Sequence, residues 1–193
     1  MLRALRTSCA LAIAVIVAAC ATLPESPGVP ASPSPFDLSG RVLVSYDGHA
    51  FSSGVRWLHA AERDEISLLS PAGQTLAYIV GEAGGATLTA ADQRQYRAAS
   101  VESLTREALG WELPLASLQY WVQGQPAPVG VPDAVERDAG GRLAALSQNG
   151  WRIVFVNYPP AEHGGLPRRL EMSSGAQEMR LVIDGWRQVP VAP

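Results

Sequence analysis

From Phe36 onward, apolar side chains recur at every second position in short runs, and the gaps between runs are short. Val42, Val44 and Tyr46 share one face of a first strand, and Asp47-Gly48 marks a turn. Phe51, Val55 and Trp57 share a face of the next. Ile66 and Leu68 lead into Ser70-Pro71-Ala72-Gly73, a turn-rich break. Leu76, Tyr78 and Val80 alternate, then Gly84-Gly85, then Ala86 and Leu88, and Asp92-Gln93 marks a tight turn before Tyr96. Further on, Gly140-Gly141 and Asn149-Gly150 flank Leu143 and Leu146, followed by Ile153 to Tyr158, a run apolar on both faces. Leu170 and Met172 make a short strand after Pro167, and Met179, Leu181 and Ile183 alternate in the last one. Parallel neighbours need a crossover of about a dozen residues, which these gaps do not contain. The pattern therefore predicts about nine to eleven short strands in one curved antiparallel sheet.

Two segments break the alternation. Ser100 fits an N-cap, Val101, Leu104 and Ala108 fall at helical spacing, and Gly110 fits a C-cap. A second helix fits Pro114 to Gln123, with Pro114 in its first turn, Gly124 past its end, and Leu118, Trp121 and Val122 on its apolar face. Pro126, Pro128 and Pro132 make residues 125–133 a loop. A mainly β chain with helices inserted in its middle places those helices against one face of the sheet, the concave side.

The N-terminus carries a different message. Arg3 and Arg6 precede Leu11 to Ala18, an apolar run too short to span a bilayer, as in an export signal over residues 1–19. Val17-Ala18-Ala19-Cys20 resembles the lipobox of bacterial lipoproteins, in which the cysteine becomes the mature N-terminus and carries acyl chains. Several chains make an effectively lasting anchor, because each buried CH₂ contributes about 0.8 kcal/mol. Ala21 stands where an Asp retains many Gram-negative lipoproteins in the inner membrane, so the resemblance implies the outer membrane, with the domain facing the periplasm. Pro24, Pro27, Pro30, Pro33 and Pro35 make residues 20–35 a lipidated tether. Its fifteen residues past Cys20 reach roughly 45 Å when extended. Residues 36–193 then form a single domain.

Composition excludes several chemistries. Loss of the signal removes two arginines and no acid, so the formal charge moves from −3 to −5, against a nucleic-acid partner. All fifteen basic residues are arginine. The absence of lysine excludes a P-loop, a Schiff base and a Ser-Lys dyad. Cys9 falls in the signal, which leaves the mature domain without an internal disulfide. His49, His59 and His163 are isolated and read as surface or loop residues, so neither a metal site nor a cofactor is expected. Glu62, Asp64 and Glu65 beside Arg63 read as a solvated charged loop. No nucleophile elbow or His-Glu-x-x-His is present, and nothing points to an enzyme.

Seven stretches together resemble the LolB family: FDLSGRVLV (36–44), FSSGVRW (51–57), ISLLSPAGQTLA (66–77), LGWELPLASLQYWVQGQP (109–126), LSQNGWRIVFVNY (146–158), LPRRLEM (166–172) and MRLVIDGW (179–186). They follow one another in order along most of the domain. The resemblance implies an unclosed antiparallel β-barrel, lidded by helices and enclosing an apolar cavity. It also implies a monomeric acceptor that takes lipoproteins from the periplasmic carrier LolA and inserts them among outer-membrane lipids. Candidate cavity-lining residues are Val42, Val44, Trp57, Leu68, Leu76, Tyr78, Leu104, Leu118, Trp121 and Phe155, although each could equally fill a solid core. A lipid-binding lipoprotein with another client, an anchored hydrolase and a purely structural envelope lipoprotein are the alternatives. In the family, the loop matching Leu69, Pro71, Ala72 and Gly73 exposes a bulky apolar residue linked to membrane insertion. Here Ala72 takes that place, with Leu69 and Leu76 as the neighbouring apolar side chains.

Overall fold

The computed structural model describes residues 33–160 and 165–188. The signal segment, Cys20, most of the tether and His163 lie outside them. The strands are β1 (Phe36–Tyr46), β2 (His49–Ala60), β3 (Arg63–Leu69), β4 (Thr75–Glu82), β5 (Gly85–Ala90) and β6 (Gln95–Ala98). Helices α1 (Val101–Leu109) and α2 (Leu115–Trp121) follow, then β7 (Ala134–Arg137), β8 (Leu143–Gln148), β9 (Trp151–Asn157), β10 (Arg169–Ser174) and β11 (Gln177–Gln188). All eleven strands form one sheet in the order β6-β5-β4-β3-β2-β1-β11-β10-β9-β8-β7, and every pairing is antiparallel.

That order explains the open barrel. From β1 in mid-sheet the chain meanders outward to the β6 edge, crosses through both helices, and meanders back from the β7 edge until β11 pairs with β1. The two edges are consecutive strands that do not pair with each other, so the helical segment is what connects them. Both edges are only four residues long, which limits the unpaired backbone they expose.

Two bulges set which side chains face inward. Ser39 pairs with Gly185 and Gly40 with Ile183, so Asp184 is the extra residue on β11. Past it the alternation of β11 switches parity, and Trp186 packs edge-on against Phe36 with ring centroids 5.4 Å apart. Gly40 is required there, because a Cβ would lie 2.1 Å from the Val182 carbonyl oxygen. On β4, Leu68 pairs with Ala77 and Leu69 with Thr75, so Leu76 is the extra residue. The inward face of β4 is Ala77, Ile79 and Gly81. Leu76 and Tyr78 therefore stand on the opposite face from the one expected of them. β4 is apolar on both faces, and periodicity alone does not choose between them.

The helices form where their punctuation places them. Ser100 and Ser103 make a reciprocal capping box at the start of α1, and Gly110 ends it at φ +81°. Val101, Leu104 and Thr105 are its buried residues. α2 is shorter than expected, and Pro114 is its N-cap rather than a first-turn residue. It buries Leu115, Leu118, Tyr120 and Trp121. Thr105 Oγ1 donates to the Val101 carbonyl and accepts from Leu113 N–H, both at 2.9 Å, which fixes the link between the helices to α1.

Candidate functional site

The link Trp111–Leu113 and helix α2 roof the inner face of the sheet. Between roof and sheet lies an apolar gap of ≈ 30 Å³, enough for about one water molecule. Val42, Val55, Trp57, Leu68 and Ile79 line it from the sheet, and Trp111, Leu113 and Leu118 from the roof. Four of the expected residues, Val42, Trp57, Leu68 and Leu118, thus meet at one place. Val44, Leu104, Trp121 and Phe155 are buried in the same continuous core but do not border the gap. The expectation missed Leu38, Val55, Ile66, Ile79, Met179, Leu181 and the roof pair Trp111 and Leu113. Leu38 keeps step with Val42, and Val55 with Trp57, so those two were within reach of the strand period.

At one end of the gap, polar groups fix the apolar wall. Asp64 Oδ1 accepts from Trp57 Nε1 at 2.6 Å and lies 2.8 Å from His59 Nδ1. His59 is 4 % exposed, and Phe36 packs against its ring at 5.1 Å. His59 is thus not a surface residue, and Asp64 is not in a solvated loop. Both belong to the β2–β3 ladder, where they pair directly. They border a wider depression of ≈ 380 Å³ formed with the starts of both helices. Gly81 forms part of its floor, and a Cβ there would stand 2.9 Å from Val101 Cγ2. Ser100 on the rim caps α1, its hydroxyl accepting from Ser103 N–H. Among the described residues, no three His, Cys, Asp or Glu side chains converge on a metal position.

The outer face carries ion pairs. Arg41 pairs with Asp184 at 2.9 Å, Arg56 with Asp37 at 2.9 Å, and Arg63 with Glu65 at 2.7 Å. Such exposed pairs contribute little to stability. Tyr78 donates to Glu65 Oε2 at 2.6 Å. That bond first, and Arg63 second, hold the Glu65 carboxyl below the usual carboxylate range. Burial first, then Glu65, pushes the Tyr78 phenol up.

The β3–β4 turn projects into solvent. Ser70 N–H donates to the Gln74 carbonyl and Gly73 N–H to the Ser70 carbonyl, both at 2.8 Å, and Gly73 sits at φ +80°. Pro71, Ala72 and Gly73 are exposed, and Leu76 beside them is 37 % exposed. Leu76 therefore belongs with the turn and not with the apolar gap.

The family model for the outer membrane lipoprotein LolB matches residues 34–186. The chain is a member of the LolB family. It is 43% identical over 155 residues to the outer-membrane lipoprotein LolB of Nitrosomonas europaea, covering 79% of this chain and 73% of that one. It is 35% identical to the LolB of Chromobacterium violaceum, covering 92% and 96% of the two chains. In fold it is similar to a LolA superfamily protein from Nitrosomonas europaea, with a TM-score of 0.50 at 9% identity over 85% of this chain and 90% of that one. A DUF1329 family protein from Desulfovibrio piger gives a TM-score of 0.52 at 7% identity, over 85% and 89%. The fold, an open antiparallel sheet with two helices over it, is thus common to this LolB-family chain and to proteins that share almost none of its sequence.

Proposed function

We propose that this chain is the acceptor that receives lipoproteins from the carrier LolA and passes their acyl chains into the outer membrane. The observation that carries the reading is the apolar gap roofed by Trp111, Leu113 and Leu118, in a chain of the LolB family. An exposed palmitoyl-length chain is unfavourable by roughly 12 kcal/mol in water, so every handover needs apolar surface on the receiving side.

The gap is far too small for such a chain, so uptake requires α2 and the Trp111–Leu113 link to swing away from the sheet. Opening breaks the polar bonds that tie the roof down: Gln177 exchanges two bonds with Glu112 at 2.7 and 3.0 Å, Trp121 Nε1 donates to Gln148 Oε1 at 3.1 Å, and Asn149 Nδ2 donates to Ser117 Oγ at 3.0 Å. Toward α1, Leu113 N–H donates to Thr105 Oγ1 and Ala116 N–H to Glu102 Oε1, both at 2.9 Å. Lipid tails replace the apolar contacts that opening breaks, which keeps the open state accessible only when a client arrives. Transfer runs downhill, with no catalytic step assigned to any residue. The chain binds acyl groups more tightly than the carrier does and less tightly than a bilayer does.

Cys20 supplies the lipid anchor in the outer membrane. Leu76 and Leu69, flanking Pro71-Ala72-Gly73, supply the apolar side chains of the insertion turn in place of a bulky residue at position 72. The protein acts as a monomer. Co-purification of a labelled lipoprotein with the Cys20→Ala soluble form, followed by its release to liposomes, is the expected result. A soluble form that never retains acyl chains contradicts the reading.

A further inference from the structure

Residues 123–132 read QGQPAPVGVP, a stretch without a charged side chain. Within it Val129 and Val131 are 77% and 89% exposed, more than any other large apolar side chain among the described residues. A single exposed valine is ordinary. Two on one braced, charge-free loop are not.

The loop is held from beneath. Buried Gln148 donates through Nε2 to the Ala127 carbonyl at 2.8 Å and the Gly130 carbonyl at 2.6 Å. Its Oε1 accepts from Ala127 N–H at 2.9 Å and Trp121 Nε1 at 3.1 Å. Asn149 Nδ2 donates to the Val129 carbonyl at 3.0 Å. Gly130 lies at φ +83°, and a Cβ there would be 1.9 Å from Asn149 Oδ1, so this brace demands glycine. Pro126, Pro128 and Pro132 have no N–H to satisfy. Backbone entering a lipid phase must have its polar groups paired within the protein. A loop with its tip carbonyls already bonded and several donors missing meets much of that demand.

The described chain begins close to the start of this loop. The Ser34 carbonyl accepts from Gln123 Nε2 at 3.2 Å, and Pro33 is buried. The chain leading to Cys20 thus leaves the domain at Gln123, six residues before Val129. Six residues span at most about 20 Å. The thirteen from Cys20 to Pro33 reach about 40 Å when extended. Anchor and loop therefore fit on one surface. We propose that Val129 and Val131 dip into the phospholipid bilayer as a second membrane contact, next to the tether. The proposal rests on the lipid anchor at Cys20.

Cys9 is lost with the signal and Cys20 is blocked by its thioether, so an introduced cysteine takes a label alone. An environment-sensitive fluorophore is placed on Val131→Cys, and separately on Asp92→Cys in the exposed β5–β6 turn, of the lipidated full chain. Both are reconstituted into phosphatidylcholine vesicles carrying nitroxide lipids. The residue-131 probe is expected to shift to the blue and to be quenched severalfold more than the residue-92 probe. Val129→Asp in the same chain brings it back to the residue-92 level. Equal quenching at both sites in a chain that floats with the vesicles overturns the loop contact and leaves the anchor standing. A chain that does not float contradicts the anchor, and with it this proposal. Shielding of residue 131 only when a loaded carrier is added, and not by lipid, assigns the loop to a protein partner and overturns the proposal too.

Discussion

Trp57 and His59 share one acceptor, Asp64 Oδ1, with Trp57 Nε1 at 2.6 Å and His59 Nδ1 at 2.8 Å. The carboxylate thereby fixes the indole that forms part of the apolar gap. Asp64→Ala leaves both ring nitrogens buried without that partner, and an unpaired buried donor costs about 1–3 kcal/mol. Urea unfolding followed by tryptophan fluorescence is expected to show a loss of that size. A midpoint unchanged from the parent chain contradicts the role given to Asp64.

Leu118 is the α2 side chain that borders the gap. Leu118→Ala enlarges that space and is expected to cost about 2–5 kcal/mol of stability. The same change weakens the roof and makes room, so uptake of a fluorescent fatty-acid probe rises. A variant that loses stability without gaining uptake argues that the acyl chain enters elsewhere.

Tyr158 gives a pH signature. Burial raises its phenol to about 12, Arg142 sits 4.7 Å over its ring, and its hydroxyl has no hydrogen-bond partner among the described residues. A group whose folded value lies above its unfolded value of about 10 contributes stability below that value and loses it as pH rises. Between pH 10 and about 12 the parent chain is therefore expected to lose stability that Tyr158→Phe keeps. At pH 7 the substitution is expected to be neutral or slightly stabilising, because it removes an unpaired buried hydroxyl. Parallel stability curves for the two proteins across the alkaline range contradict this account.

The β3–β4 turn tests the insertion assignment. Ala72 is exposed in a turn closed by backbone bonds, so Ala72→Leu is expected to change stability by less than about 0.5 kcal/mol. Client delivery to vesicles is expected to hold or to rise. A clear fall in delivery with folding intact counts against this turn as the insertion element.

The strands and helix ends were legible because their signals are local. Ser100 and Gly110 bracket α1, and the Asn149-Gly150 turn joins β8 to β9, as the sequence pattern predicts. Face assignment failed where the signal is not local. Leu76 became a bulge residue, and Tyr78 went outward with it, because β4 is apolar on both sides and its register is set by pairing with β3. His59 and Asp64 pair across β2 and β3, a relationship that the local sequence around neither residue carries. Trp186 turns inward only because Asp184 bulges, which no period of two anticipates. The roof residues Trp111 and Leu113 lie in a link without periodicity, so their place over the gap emerges only from the fold.

The central claim is downhill acceptance of acyl chains. It is tested most directly by mixing the Cys20→Ala form with LolA loaded with a fluorescent lipoprotein and following where the label goes. The account predicts that the label moves to this chain and passes on to vesicles when they are added. Label that stays on the carrier while this chain is folded and in excess contradicts it.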